Sequence, residues 1–209
     1  MDSIAINIFQ ILILLFSVVI HEVSHGLMAL KLGDDTAKNQ GRLTLNPIPH
    51  LDPIGSILLP AILVLSGSGF VIGWAKPVPY NPLKLYKDLK YGPLKVGLIG
   101  PGSNLILALT VGLILRVGAS FFSPVLTALL VQIVFINVLL AVFNLMPVPP
   151  LDGSKILTVI LPPRYSVALQ SIGMGGILLV FLFLMVFGSL IFSLTAGLTS
   201  LIIGPIPAF

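Results

Sequence analysis

Residues 4–30 read IAINIFQILILLFSVVIHEVSHGLMAL. A helix over this stretch is about 40 Å long at 1.5 Å per residue, enough to cross a hydrocarbon core of ~30 Å. Its apolar run holds no charge until His21, Glu22 and His25. Ionisable groups inside a membrane helix cost ~2.5–3.5 kcal/mol each on insertion scales, so such a cluster points to function. A secretory signal peptide would start with positive charge. This N-terminus carries Asp2 and no Lys or Arg before the apolar run, so the stretch is read as a retained membrane helix.

The rest of the chain agrees with a lipid environment. Mean hydropathy is +1.11 and 9% of the residues are charged, against about 25% in soluble proteins. At 209 residues the chain has length for a single domain with a substantial core. There is no cysteine. Disulfides and thiolate metal sites are therefore excluded, and a metal would have to be held by His, Asp or Glu. The net charge of +4 comes mainly from lysines in one loop. It lacks a basic stripe with interleaved aromatics, so it reads as membrane orientation and not as a nucleic-acid surface.

Further apolar stretches cover 54–75, 96–117 and 124–146, and residues 167–207 are long enough for one long helix or two shorter ones. The alternation in Gly41 to Pro47 predicts a short strand. The 54–75 stretch is interrupted by Ser66-Gly-Ser-Gly69. Its helical part would reach only ~18 Å, which suggests that it dips into the membrane and returns. Charge counting supports this. With 54–75 re-entrant, Lys31, Lys38, Arg42, Lys76, Lys84, Lys87, Lys90, Lys95, Lys155 and Arg164 share one side, and Arg116 stands alone opposite. The positive-inside rule makes the first side cytoplasmic and the N-terminus external. The expected fold is an all-α polytopic membrane protein. It has three core transmembrane helices, a re-entrant, strand-containing segment, and one or two C-terminal helices. One membrane-embedded domain covers 1–209, with a metal-site core at about 4–165 and a C-terminal helical segment at 166–209.

His21-Glu22-Val23-Ser24-His25 is an H-E-x-x-H pattern. On a helix, residues i and i+4 share a face, so both imidazoles can reach one ion, with Glu22 placed to take a proton from water. Catalytic zinc sites usually use three protein ligands. Among the acidic residues, Asp152 stands out. It follows Pro147, Pro149 and Pro150, which stop a membrane helix and free its carbonyls. Its alternative reading is an N-cap for a short helix at 153–161. His50 is either a residue beside the site or one that fixes local turns. Asn104 reads as a buried contact between helices, with Gly97, Gly100 and Gly102 permitting close packing. Lys155 would pair with a carboxylate or snorkel to the interface.

The paired segments His21-Glu-Val-Ser-His25-Gly26 and Asn144-Leu-Met-Pro-Val-Pro-Pro-Leu-Asp152-Gly153 resemble the site-2 protease family of intramembrane metalloproteases. Gly41 to Pro53, Gly73-Trp-Ala-Lys-Pro-Val-Pro-Tyr-Asn-Pro82 and Gly100-Pro-Gly-Ser-Asn104 extend the likeness to about residues 10–165. It is closest to small bacterial and archaeal members without PDZ or CBS modules. The resemblance implies one zinc ion per chain on His21, His25 and Asp152. It makes Glu22 the general base and Asn144 the amide that stabilises the oxyanion.

The implied function is a zinc-dependent endopeptidase that cleaves transmembrane protein substrates within the bilayer. Its partners are that substrate and the lipid. The expected location is the plasma membrane, with the zinc site toward the cytoplasmic side. Phe70 to Pro79 is expected to offer a strand edge to unwound substrate. The alternatives are a membrane metal transporter, which would use the same histidines for transit, and a catalytically silent scaffold of the same fold.

Overall fold

A computed structural model describes residues 3–66 and 73–204. Helix α1 spans Ser3–Leu32. It ends because Gly33 takes a left-handed φ of 117°, which lets Asp34 N–H reach Ala29 O and Gly33 N–H reach Leu30 O. These two bonds satisfy carbonyls that a helix end leaves open. A short helix, α2 (Thr36–Asn39), follows. A 3₁₀ turn at Ile48–His50 and a π-helical turn at Pro53–Leu58 then lead into α3 (Leu59–Leu65).

Helix α4 runs Gly92–Gly118 and α5 runs Pro124–Asn144. Ser123 starts α5 by accepting a bond from Leu126 N–H, with Pro124 in the first turn where no N–H is needed. Two short helices, α6 (Ser154–Ile160) and α7 (Pro163–Ser171), precede α8 (Gly176–Ile203). Four helices are long and apolar enough to cross a membrane: Ile8–Leu32, Gly92–Phe121, Pro124–Asn144 and Gly176–Ile203. The C-terminal apolar region thus resolves into one long helix after Gly173 and Gly175.

The described ends of the 54–75 stretch, residues 54–66 and 73–75, meet. Trp74 N–H donates to Gly55 O, and Ser56 Oγ donates to Trp74 O. Both ends of the segment therefore lie side by side. The helical part Pro53–Leu65 covers about 20 Å, short of the ~30 Å core.

The strand expected at 41–47 is not formed, and no strand occurs among the described residues. Side chains take the backbone bonds there instead. Thr44 Oγ1 accepts from Asn46 N–H, and Asn46 Oδ1 accepts from Ile48 N–H. These local turns compete with a ladder.

Helix α4 is central and packs against α1, α5 and α8, while α5 also packs against α8. One buried cluster is Ala29, Leu32, Leu85 and Val96, with Met28 and Tyr80 against it. A second joins Ala108, Leu115, Val134 and Val138 to Ile202. Small residues bring the backbones together, as membrane helices require. Gly112, for example, faces Ile202 with no room for a β-carbon. The outward faces carry exposed Ile11, Phe16, Leu113, Leu182 and Met185, suited to lipid.

Candidate metal centre

His21 and His25 lie one turn apart on α1, both buried. Asp152 arrives from the turn that ends α5, a separation of 131 residues from His21. Prolines stop α5, and the chain doubles back with Gly153 N–H on Asn144 O at 2.7 Å. A β-carbon at Gly153 would overlap Leu145 O, so only glycine lets the turn close this tightly. The capping alternative for Asp152 fails. Helix α6 has Gly153 at its N-cap and no side-chain cap, which leaves the Asp152 carboxylate for other use.

His21 Nε2 lies 3.0 Å from Asp152 Oδ2 and 3.0 Å from His25 Nε2, and His25 Nε2 lies 3.1 Å from the same carboxylate oxygen. The other ring nitrogens are committed elsewhere. His25 Nδ1 sits 2.5 Å from Val96 O, which can only accept, so it carries the proton. His21 Nδ1 sits 2.7 Å from Asn104 Oδ1. With both Nδ1 positions protonated, both Nε2 lone pairs face a carboxylate oxygen with no donor between them. Three converging acceptors repel one another unless a cation lies among them, and a hydrogen-bonded Nδ1 is the usual support for an Nε2 ligand. The donor set, two imidazoles and a carboxylate, suits zinc and leaves a fourth position open.

Helix α4 makes room for this arrangement. A β-carbon at Gly100 would collide with His25 Nε2, and one at Gly97 would meet the Lys155 stem and Asp152 O. Pro101 has no N–H and leaves Gly97 O without its helical partner. Lys155 packs its stem over Gly97 and makes no ion pair with Asp152.

Glu22 is half-buried beside the centre, and its Oε2 accepts from Val78 N–H at 2.7 Å. Val78 belongs to an extended strap, residues 73–81, that lies across α1. Arg42 donates to Lys76 O and Pro77 O, Lys76 N–H donates to His50 O, and Asn81 N–H donates to Asp34 Oδ2. Tyr80 in this strap is partly buried, and that burial together with the nearby Asp152 charge pushes its phenol up to about 12. His50 is a turn-fixing residue, with its own Nε2 bonded to Thr44 O.

This strap is a poor strand edge. Trp74, Lys76 and Val78 already spend their N–H groups, and Pro77 and Pro79 have none. Phe70 to Ile72, the rest of the expected edge, lie outside the described residues. Asn144 Nδ2 donates to Leu140 O of its own helix, and Asn144 O accepts from Gly153 N–H, beside Asp152. Sequence reasoning missed Ser17 and Asn137, which join Asn104 behind His21. A buried amide in the middle of an apolar helix was the available signal for Asn137.

Comparison with known proteins supplies the chemistry that goes with this geometry. Residues 114–188 match the model of peptidase family M50. A Bacillus subtilis protein named "Putative zinc metalloprotease YwhC" is 38% identical over 204 residues, which cover 93% of this chain and 89% of that one. The chain belongs to the M50, or site-2 protease, family.

Other M50 relatives are longer. "Putative zinc metalloprotease Rip2" of Mycolicibacterium smegmatis is 32% identical over 170 residues, covering 79% of this chain and 62% of its own length. "Zinc metalloprotease MJ0392" of Methanocaldococcus jannaschii is 29% identical over 157 residues, covering 74% and 35%. No solved structure matches the chain. The M50 assignment makes zinc the metal, and His21, His25 and Asp152 are the group of residues that fits it.

Proposed function

We propose that this M50 chain is a zinc-dependent endopeptidase that cuts other membrane proteins within the bilayer. The observation that carries the reading is the convergence of His21, His25 and Asp152, at 3.0–3.1 Å, among helices long enough to span a membrane. Zinc on these ligands would polarise a peptide carbonyl and acidify a water at its open position.

The chain's own groups do the rest. Glu22 is the general base, taking the proton from the attacking water and passing it to the leaving amine. Its carboxylate is held ready by Val78 N–H. Asn144 donates to the oxyanion, which requires its amide to turn from Leu140 O toward the substrate. The burial of His21 and His25 keeps bulk water from them, which strengthens each of these interactions.

The reading places the site on the cytoplasmic side of the plasma membrane with the N-terminus outside. Two observations support it. The paired ends of residues 55–74 fit the topology in which ten of the eleven Lys and Arg share one side. Arg116, the exception, sits at the opposite end beside the C-terminus of α8, where it donates to Leu201 O and Ile202 O. A transporter would need ligands along a pathway, whereas the potential metal ligands among the described residues form one group.

The test compares wild type with Glu22→Gln for zinc content and for cleavage of a model transmembrane substrate. Retained zinc with cleavage reduced at least ~100-fold is expected. Equal cleavage in both refutes the mechanism.

A further inference from the structure

Behind His21 lies a buried polar chain that spans three helices. Asn137 on α5 is fully buried, and its Nδ2 donates to Ile133 O at 2.9 Å and to Ser17 Oγ at 3.0 Å. Ile133 O is a carbonyl and can only accept, so the amide orientation of Asn137 is fixed. Its Oδ1 must then face α4, where it accepts from Asn104 Nδ2 at 3.0 Å. Asn104, also fully buried, gives its other N–H to Ser17 O at 3.3 Å. Its Oδ1 is therefore forced toward His21 Nδ1, at 2.7 Å. Each amide leaves the next one a single satisfied orientation, and reversing any of them puts like groups face to face in a buried site.

We infer that Asn137 and Asn104 are positioning residues that fix His21 as its Nδ1–H tautomer, so that the Nε2 lone pair is presented to the metal. The direction is set on α5, at the Ile133 carbonyl, and passed through α4 to the ligand on α1. Neither amide touches the metal position, and Ser17 anchors both from α1. His25 does not depend on this chain, because it is set separately by Val96 O. The inference rests on reading His21 as a zinc ligand.

The test uses the full chain in detergent, with histidine labelled in ¹⁵N and metal removed. Nitrogen shifts report the tautomer of each of the three histidines. Zinc affinity is measured separately by chelator competition. In wild type, His21 should show Nδ1–H and a bare Nε2. Asn104→Leu and Asn137→Leu should both lose this preference at His21 and leave His25 and His50 unchanged. Zinc binding should weaken about 10–100-fold in Asn104→Leu and less in Asn137→Leu.

Asn137→Asp, neutral in this buried apolar setting, replaces the N–H toward Ile133 O with its carboxyl O–H, keeps an acceptor toward Asn104, and should bind zinc within about threefold of wild type, the range expected of an intact outer contact. Wild-type tautomer and affinity in both Leu variants would overturn the inference. So would equal losses in Asn137→Asp and Asn137→Leu, because packing and not direction would then be at work. Should Asn104→Leu misfold, shown by shifts at His25 and His50, the Asn137 pair decides alone. Failure of wild type to bind zinc would strike the metal-centre reading, and the tautomer of the metal-free protein would still judge the relay.

Discussion

Gly100 of α4 faces His25 so closely that a β-carbon would collide with Nε2, the proposed ligand atom, and lie 2.7 Å from His21 Nε2. The imidazoles cannot retreat, since Val96 O and Asn104 hold their far sides. Gly100→Ala should therefore weaken zinc binding by at least about tenfold, by displacing both ligands together. Gly102→Ala, two residues along the same helix with nothing within 4 Å, should bind zinc normally. Chelator competition on the two purified variants checks the contrast. Equal affinities would mean that α4 does not shape the centre.

Asp152 is the proposed ligand that joins the end of α5 to α1. Asp152→Ala should lose most of its zinc on purification, since two imidazoles alone make an incomplete site. Asp88→Ala removes a partly exposed carboxylate paired with Lys95 at 2.6 Å and should keep full zinc content. Metal analysis of both variants separates a ligand from a surface acid.

Arg42 ties the strap to the body through Lys76 O and Pro77 O. Charge-assisted bonds of this kind contribute about 1.5–3 kcal/mol each. Arg42→Met should loosen residues 73–81 and speed amide hydrogen exchange at Lys76 and Val78 at least about tenfold under native conditions. Zinc content should stay near one per chain, because no ligand is touched. Unchanged exchange at these amides would show that the strap is held without Arg42.

Arg116 places a cation at the C-terminus of α8, against Leu201 O and Ile202 O. Such a charge complements the helix dipole and satisfies end carbonyls. Arg116→Met should lower the unfolding midpoint in detergent by roughly 2–4 °C, the shift that ~1 kcal/mol gives in a chain of this size. A thermal melt followed by α-helical circular dichroism reads it.

The histidine pair was legible because helical spacing alone puts His21 and His25 on one face. The four long helices were legible from hydropathy. The re-entrant reading of 54–75 followed from its short helix and from lysine placement, and Trp74 N–H on Gly55 O brings the described ends of that stretch together. Asp152 was harder to read. It is 131 residues from His21, and only the proline-bounded turn and the family resemblance marked it.

The misreading at 41–47 has a local cause. Alternating apolar residues resemble a strand, but Thr44 and Asn46 spend the backbone bonds in turns. The Asn137–Asn104–His21 chain could not be read as a unit. Which amide faces which depends on the rotation of three packed helices, and no local pattern encodes that rotation.

The most direct test of intramembrane cleavage is to find where the substrate is cut. Wild type, zinc-loaded and reconstituted in liposomes with a single-span model substrate, is incubated and the fragments are sequenced by mass spectrometry. The expected cut falls inside the hydrophobic stretch, disappears with chelator or with Glu22→Gln, and returns when zinc is restored to wild type. Fragments that end only in the substrate's aqueous regions, or cutting that persists in Glu22→Gln, would contradict it.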